Sequence, residues 1–124
     1  MILVCPLVVP VGKKNISMNL NIYRNLHPQI NNKAKVNFKS MMANQILKLP
    51  CLNRIKIQYT LYPKTNRKVD VSNVCSVVDK FLCDSLVVLG KLEDDNYQFV
   101  PEVTYRFGMI SKEDSRVEAL ITEL

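Results

Sequence analysis

The sequence predicts a small α/β (α+β) domain: a single sheet of about four strands with two main helices, in the order β-α-β-α-β-β. Three observations predict it. The stretch RIKIQYTLY, residues 54–62, alternates apolar and polar side chains with the period of a half-exposed strand. Residues 71–89 place Val71, Val74, Val78, Phe81, Leu82, Ser85 and Leu89 on one helical face, and Gly90 comes next as a helix-ending residue. Residues 33–49 are good helix formers that stop at Pro50. With 124 residues, 48% of them hydrophobic, the chain is expected to form one folded domain, 1–124, and a disordered tail is excluded.

In chain order, residues 2–9 are apolar and read as a first strand; the run is too short to span a bilayer and Pro6 interrupts it. A polar turn comes next at 12–15. Residues 19–32, rich in Asn and containing Tyr23, Arg24 and His27, read as an irregular loop or a short turn of helix, with His27 facing the surface or DNA. In the helix at 33–49, Val36, Met41, Ile46 and Leu47 are expected to face the core, leaving Lys33, Lys35 and Lys39 as a basic side. After the strand at 54–62, PKTNRK (63–68) is a basic connection to the helix at 71–89. Residues 99–109 and 116–123 read as two final strands, paired as a hairpin around 108–115.

The four cysteines, Cys5, Cys51, Cys75 and Cys83, have no CxxC pair and no zinc spacing. Without a secretory signal they read as reduced, buried small hydrophobes, and the expected location is the cytoplasm, with no membrane partner. Charge is more informative. Residues 1–69 hold twelve of the seventeen Lys and Arg residues and no acid, whereas 70–124 hold all eleven acids. Segregation on that scale points to a basic surface that meets a polyanion. The acids include Asp70 at the mouth of the second helix and Glu93, Asp94 and Asp95 just past its end. Asp79 and Cys83 are assigned to its polar side, and so are Asn73, Lys80 and Asp84, which form one stripe. Clustered carboxylates beside a basic half suit a nuclease, in which bases hold phosphates and acids hold a metal ion.

The runs KVDVSNV (68–74), KFLCDSL (80–86) and GKLEDDNYQFV (90–100) resemble the RusA-type Holliday-junction resolvases. That family's signature is a D-x-D-N helix start, a lysine followed four residues later by D-[AS]-L, then a glycine and a DD pair. RIKIQYTLYPKTNRK resembles the family's preceding strand and basic loop, and RVEALITEL its last strand. SMNLNIYRNLH is weakly similar to its N-terminal loop. The resemblance spans about residues 15–124 and is strongest over 55–100.

It implies a homodimeric, Mg²⁺-dependent (or Mn²⁺-dependent) endonuclease, bacterial or phage-encoded, that cuts branched four-way DNA by paired nicks. By the resemblance, Asp70, Asp95 and Lys80 are catalytic, and Asp70, Asp95 and Asp94 are metal ligands. Asn73 and Asp84 match supporting positions. Lys13, Lys14, Arg24, Lys33, Lys35, Lys39, Lys64, Arg67 and Lys68 are expected to hold DNA. The chain departs from the signature in two places. Ser72 stands where the second motif aspartate belongs, able to supply only a hydroxyl to the metal, and about one extra helical turn separates Asn73 from Lys80. Ser72 also supports an alternative: a domain of this type that binds branched DNA or a host protein without cutting.

Overall fold

The computed structural model describes residues 1–124. The chain opens with two short strands rather than one, β1 (Ile2–Cys5) and β2 (Val8–Val11), which belong to different sheets. Pro6 lies in the break between them and cannot donate to a ladder. β2 forms a hairpin with β3 (Lys14–Ser17), in register Val11↔Lys14. Its two-residue turn starts at Gly12, φ +60°, where only glycine sits without strain.

Residues 19–32 are more helical than the sequence suggests. Asn19 caps α1 (Leu20–Asn25) through its side-chain oxygen, which accepts from the Asn21 and Ile22 amides at 2.9 and 3.4 Å. α2 (Pro28–Ile46) starts five positions before the predicted helix, with Pro28 in its first turn. His27 is its N-cap: Nδ1 accepts from the Gln29 amide at 3.2 Å. The buried side chains are Ala34, Phe38, Met42 and Ile46, a strict four-residue step. Val36, Met41 and Leu47, expected in the core, are exposed.

β4 (Ile55–Tyr62), α3 (Val71–Val88) and β5 (Glu102–Phe107) form a parallel β-α-β unit, and β6 (Arg116–Glu123) completes the main sheet. The strand order is β1-β6-β4-β5, with β6 antiparallel to both of its neighbours. The predicted hairpin of the last two strands is therefore not formed: β5 and β6 flank β4 on opposite sides. Their link crosses the end of β4, held by Gly108 N–H donating to Leu61 O and Ser111 N–H to Pro63 O, each at 2.8 Å. Gly108 must stay bare, because an added Cβ would lie 2.6 Å from the Tyr62 ring. The mixed α+β class is as the sequence predicts, with a second, two-stranded sheet and a third helix added.

One contiguous core of 27 buried residues lies between the main sheet and the helices. Ile55, Ile57, Tyr59 and Leu61 of β4 and Val117, Ala119 and Ile121 of β6 fill one side. Phe81 of α3 meets the Phe38 ring edge-on at 5.5 Å and Tyr23 at 6.0 Å, locking α1 and α2 onto α3. Because α3 packs on both the sheet and α2, its buried arc is wider than predicted and takes in Cys75, Val77, Cys83 and Leu86. The α3 C-terminus closes on Gly90, φ +77°, with Lys91 N–H donating to Leu86 O and Gly90 N–H to Val87 O. That pair of bonds is a Schellman cap. Of the four cysteines all are free thiols, and Cys51 is exposed, against the expectation that all four are buried. No helix is long and apolar enough to cross a membrane.

Candidate functional site

The βαβ unit decides where the motif residues stand. α3 returns antiparallel to β4 and β5, so its amino end lies at the carboxyl ends of those strands and its carboxyl end at their amino ends. Asp70 is at the first of these positions. Asp95 is at the second, in the 91–99 segment that runs beside the approach to β4, where Leu52 N–H bonds to Lys91 O and Ile55 N–H to Phe99 O. The 18 residues of α3 are about 27 Å long. Asp70 and Asp95, which the resemblance places around one metal ion, are thus held at opposite ends of the helix within one chain.

At the amino end of α3, Asp70 occupies the N-cap position, yet its carboxylate accepts no bond from the helix amides. Asp70 and Ser72 are both exposed, and neither side chain has a protein partner. The basic loop 63–69 leads directly into this position. Arg67 and Lys68 line a cleft there with Leu61, Pro63, Phe107 and Ile110. The cleft therefore sits outside the carboxyl ends of two adjacent parallel strands, where open α/β sheets hold their ligands.

At the other end, Asp94 turns its carboxylate inward on its own loop: Oδ1 accepts from the Asp95 amide at 2.7 Å and Oδ2 from Asn96 Nδ2 at 2.8 Å. The Asp95 carboxyl is held above its ordinary 3.8, first by partial burial and then by the Asp94 carboxyl, with the charge of Asp84 adding to the crowding. Lys80, one turn before Asp84, makes no ion pair with it; both ion pairs in the molecule belong to Arg116, with Asp114 and Glu118. No three His, Cys, Asp or Glu side chains converge as a ligand set.

Asp79 is the acid that sequence reasoning misplaced. It faces the sheet, accepting from Tyr59 Oη at 2.7 Å and from Cys83 Sγ at 3.3 Å. Burial first, then the surrounding Cys83 and Asp79 groups and this bond to Asp79, raise the Tyr59 phenol well above 10. Burial and the nearby Asp79 charge push Tyr105, whose ring lies 5.9 Å from that of Tyr59, up to about 12. Cys75 is pushed up to about 12 by burial and then Asp79. These groups stay protonated at neutral pH, so they form a structural hydrogen-bonded knot under α3. The signal was present in sequence as Asp79 and Cys83 four apart, but the register of Tyr59 beneath them was not.

The bases assemble into a band. Asn37 Nδ2 donates to Pro10 O at 2.7 Å, tying α2 to the β2–β3 hairpin, and Gly12 and Lys33 line one hollow. Lys13 and Lys14 at the hairpin tip are therefore neighbours of Lys33. At the hairpin's other end, Ser17 and Asn19 share a hollow with Lys64 of the 63–69 loop. The band has two basic ends, Lys64, Arg67 and Lys68 on the 63–69 loop and Lys13, Lys14 and Lys33 at the hairpin tip, joined by β3 residues 15–17, which carry no base. Lys35 and Lys39 continue it on α2 at half-buried positions, and Arg24 is exposed on α1.

No protein-family model matches the chain, and no curated protein matches it significantly.

Proposed function

We propose that the chain is a metal-dependent, structure-selective DNA endonuclease of RusA type, which grips four-way DNA as a homodimer and nicks it. The single observation that carries this reading is the Asp70 carboxylate: exposed, unpaired, not spent on capping its helix, and set beside the Arg67–Lys68 loop. Mg²⁺ needs only one or two protein carboxylates when substrate phosphate and water complete its shell. Asp70, with the Ser72 hydroxyl one residue beyond Val71, fits that modest demand, and Asp95 stands outside it. Bound there, the ion would supply charge neutralisation and an acidified water. The chain's own residues do the rest: Arg67 and Lys68 hold the phosphodiester, and the unpartnered Val71 and Ser72 amides at the amino end of α3 favour its negative charge. Two copies suit a twofold substrate. The sheet face away from the helices exposes Ile2, Val4 and Leu120, an apolar patch available to a second copy.

The test is a labelled four-way junction incubated with Mg²⁺ or Mn²⁺. Asp70→Asn is expected to abolish nicking with binding retained, while Asp95→Asn leaves nicking largely intact. Equal loss in both variants would mean that the metal is held by groups this arrangement keeps apart. A second reading, binding without cutting, is favoured by the separation of Asp70 from Asp95 and by serine at 72. Junction binding with no nicking at any metal concentration would select it.

A further inference from the structure

From the cleft at the carboxyl ends of β4 and β5 we infer a subsite for one unpaired nucleotide of the DNA, its base against the apolar wall and its phosphate on Arg67 and Lys68. The inference rests on the DNA-binding reading above and adds what the protein recognises there. Leu61, Pro63, Phe107 and Ile110 supply the wall, and its opposite rim is basic, with no acidic side chain among the lining residues. Phe107 is 55% exposed and Ile110 47% exposed, which leaves a large apolar surface without an intramolecular partner. The wall is built rather than accidental. The two hydrogen bonds from Gly108 and Ser111 to Leu61 and Pro63 hold the Phe107–Ile110 segment over the end of β4, and the Tyr62 ring fills the space under the bare Gly108.

Size and charge select the occupant. The cleft is about 220 Å³, below the roughly 300–1,000 Å³ of sites that enclose a drug-sized ligand, and suits a single flat ring. Duplex phosphates alone would have no use for an aromatic wall, because paired bases keep their faces stacked inside the helix. A strand exchange point offers both groups at once: a backbone phosphate, and a base that can leave its stack. Bases stack on aromatic side chains irrespective of sequence, which fits a site that reads branch structure.

The experiment places 2-aminopurine, whose fluorescence rises on unstacking, at the branch point of a four-way junction. Saturating protein is expected to raise the signal several-fold. Phe107→Ala should abolish the rise, and Phe107→Leu, which keeps apolar bulk but not the ring plane, should reduce it strongly. Both variants should lose roughly tenfold in affinity for single-stranded oligothymidine, and less than twofold for linear duplex. A junction bound without any rise, or a rise that survives both variants, would overturn the subsite while leaving the DNA-binding reading intact. If the protein binds no junction at all, that reading fails, and the subsite is then judged with dAMP alone. Amide shifts confined to Leu61, Phe107 and Ile110 at millimolar dAMP would uphold it. No shifts there, or shifts caused by a short apolar peptide and not by dAMP, would overturn it.

Discussion

Asp95 is adjacent to one carboxylate and close to a second, and no cation answers any of them. An acid whose folded-state value is raised binds more protons folded than unfolded between its ordinary 3.8 and that raised value. Stability therefore falls as pH rises through this window, and the cost is fully present at neutral pH. Asp95→Asn removes the charge and should melt at a higher temperature than the parent at pH 7, the two converging as pH is lowered toward 3.8. Thermal melts across that range check it; a variant less stable at pH 7 would mean that the Asp95 charge is held favourably. The crowding of Asp94 on Asp95 was legible from adjacency. The engagement of Asp79 was not, because nothing local to α3 reveals that Tyr59 lies under it. Long-range register decides which polar residue of a helix is spent on structure and which is left free, as Asp70 is.

At the level of elements, β4 and α3 were legible because each carries its own period and its own stop signal. α2 was legible as a helix but not in its facing. Val36 and Leu47 share one side and Met41 flanks the buried stripe, yet the sheet and α3 accept only Ala34, Phe38, Met42 and Ile46, with Ala34 letting the backbone approach and Phe38 reaching the Phe81 ring. Phe38→Ala should accordingly cost about 3–5 kcal/mol, whereas Val36→Ala should stay within about 0.5 kcal/mol of the parent. Denaturant unfolding of the two variants measures both, and comparable losses would reverse the facing. The last two strands misled for a different reason. Eight residues, 108–115, are enough for a hairpin, and only the parallel docking of β5 on β4 shows that the link instead crosses the end of β4. That crossing is what builds the cleft wall, so the wall could not be read from the sequence even though its basic rim could.

Across the whole molecule, bases of the acid-free first half gather on the β2–β3 hairpin, α2 and the 63–69 loop, whereas Asp84, Glu93, Asp94 and Asp95 lie toward the carboxyl end of α3. A band of this kind needs no specific contact to act at a distance: its field raises the local concentration of a polyanion and orients it before docking. The candidate phosphate contacts on these elements are Lys13, Lys14, Lys33, Lys64, Arg67 and Lys68. If these six each neutralise one phosphate, counterion release sets the slope of log affinity against log salt at roughly −5. Replacing Arg67 and Lys68 together with alanine should make that slope shallower by about 2 and weaken binding to duplex and junction alike, since phosphate contacts carry no sequence or branch information. Lys112, just past the cleft wall and outside the band, serves as the matched control, and Lys112→Ala should leave the slope unchanged. Titrations of labelled DNA over a range of salt concentrations measure all three proteins. A parent slope near zero would remove nucleic acid as the partner. A slope of full size that the double variant does not alter would move the phosphate contacts onto Arg24 of α1, the hairpin tip and Lys33, Lys35 and Lys39 of α2, away from the 63–69 loop and from Asp70.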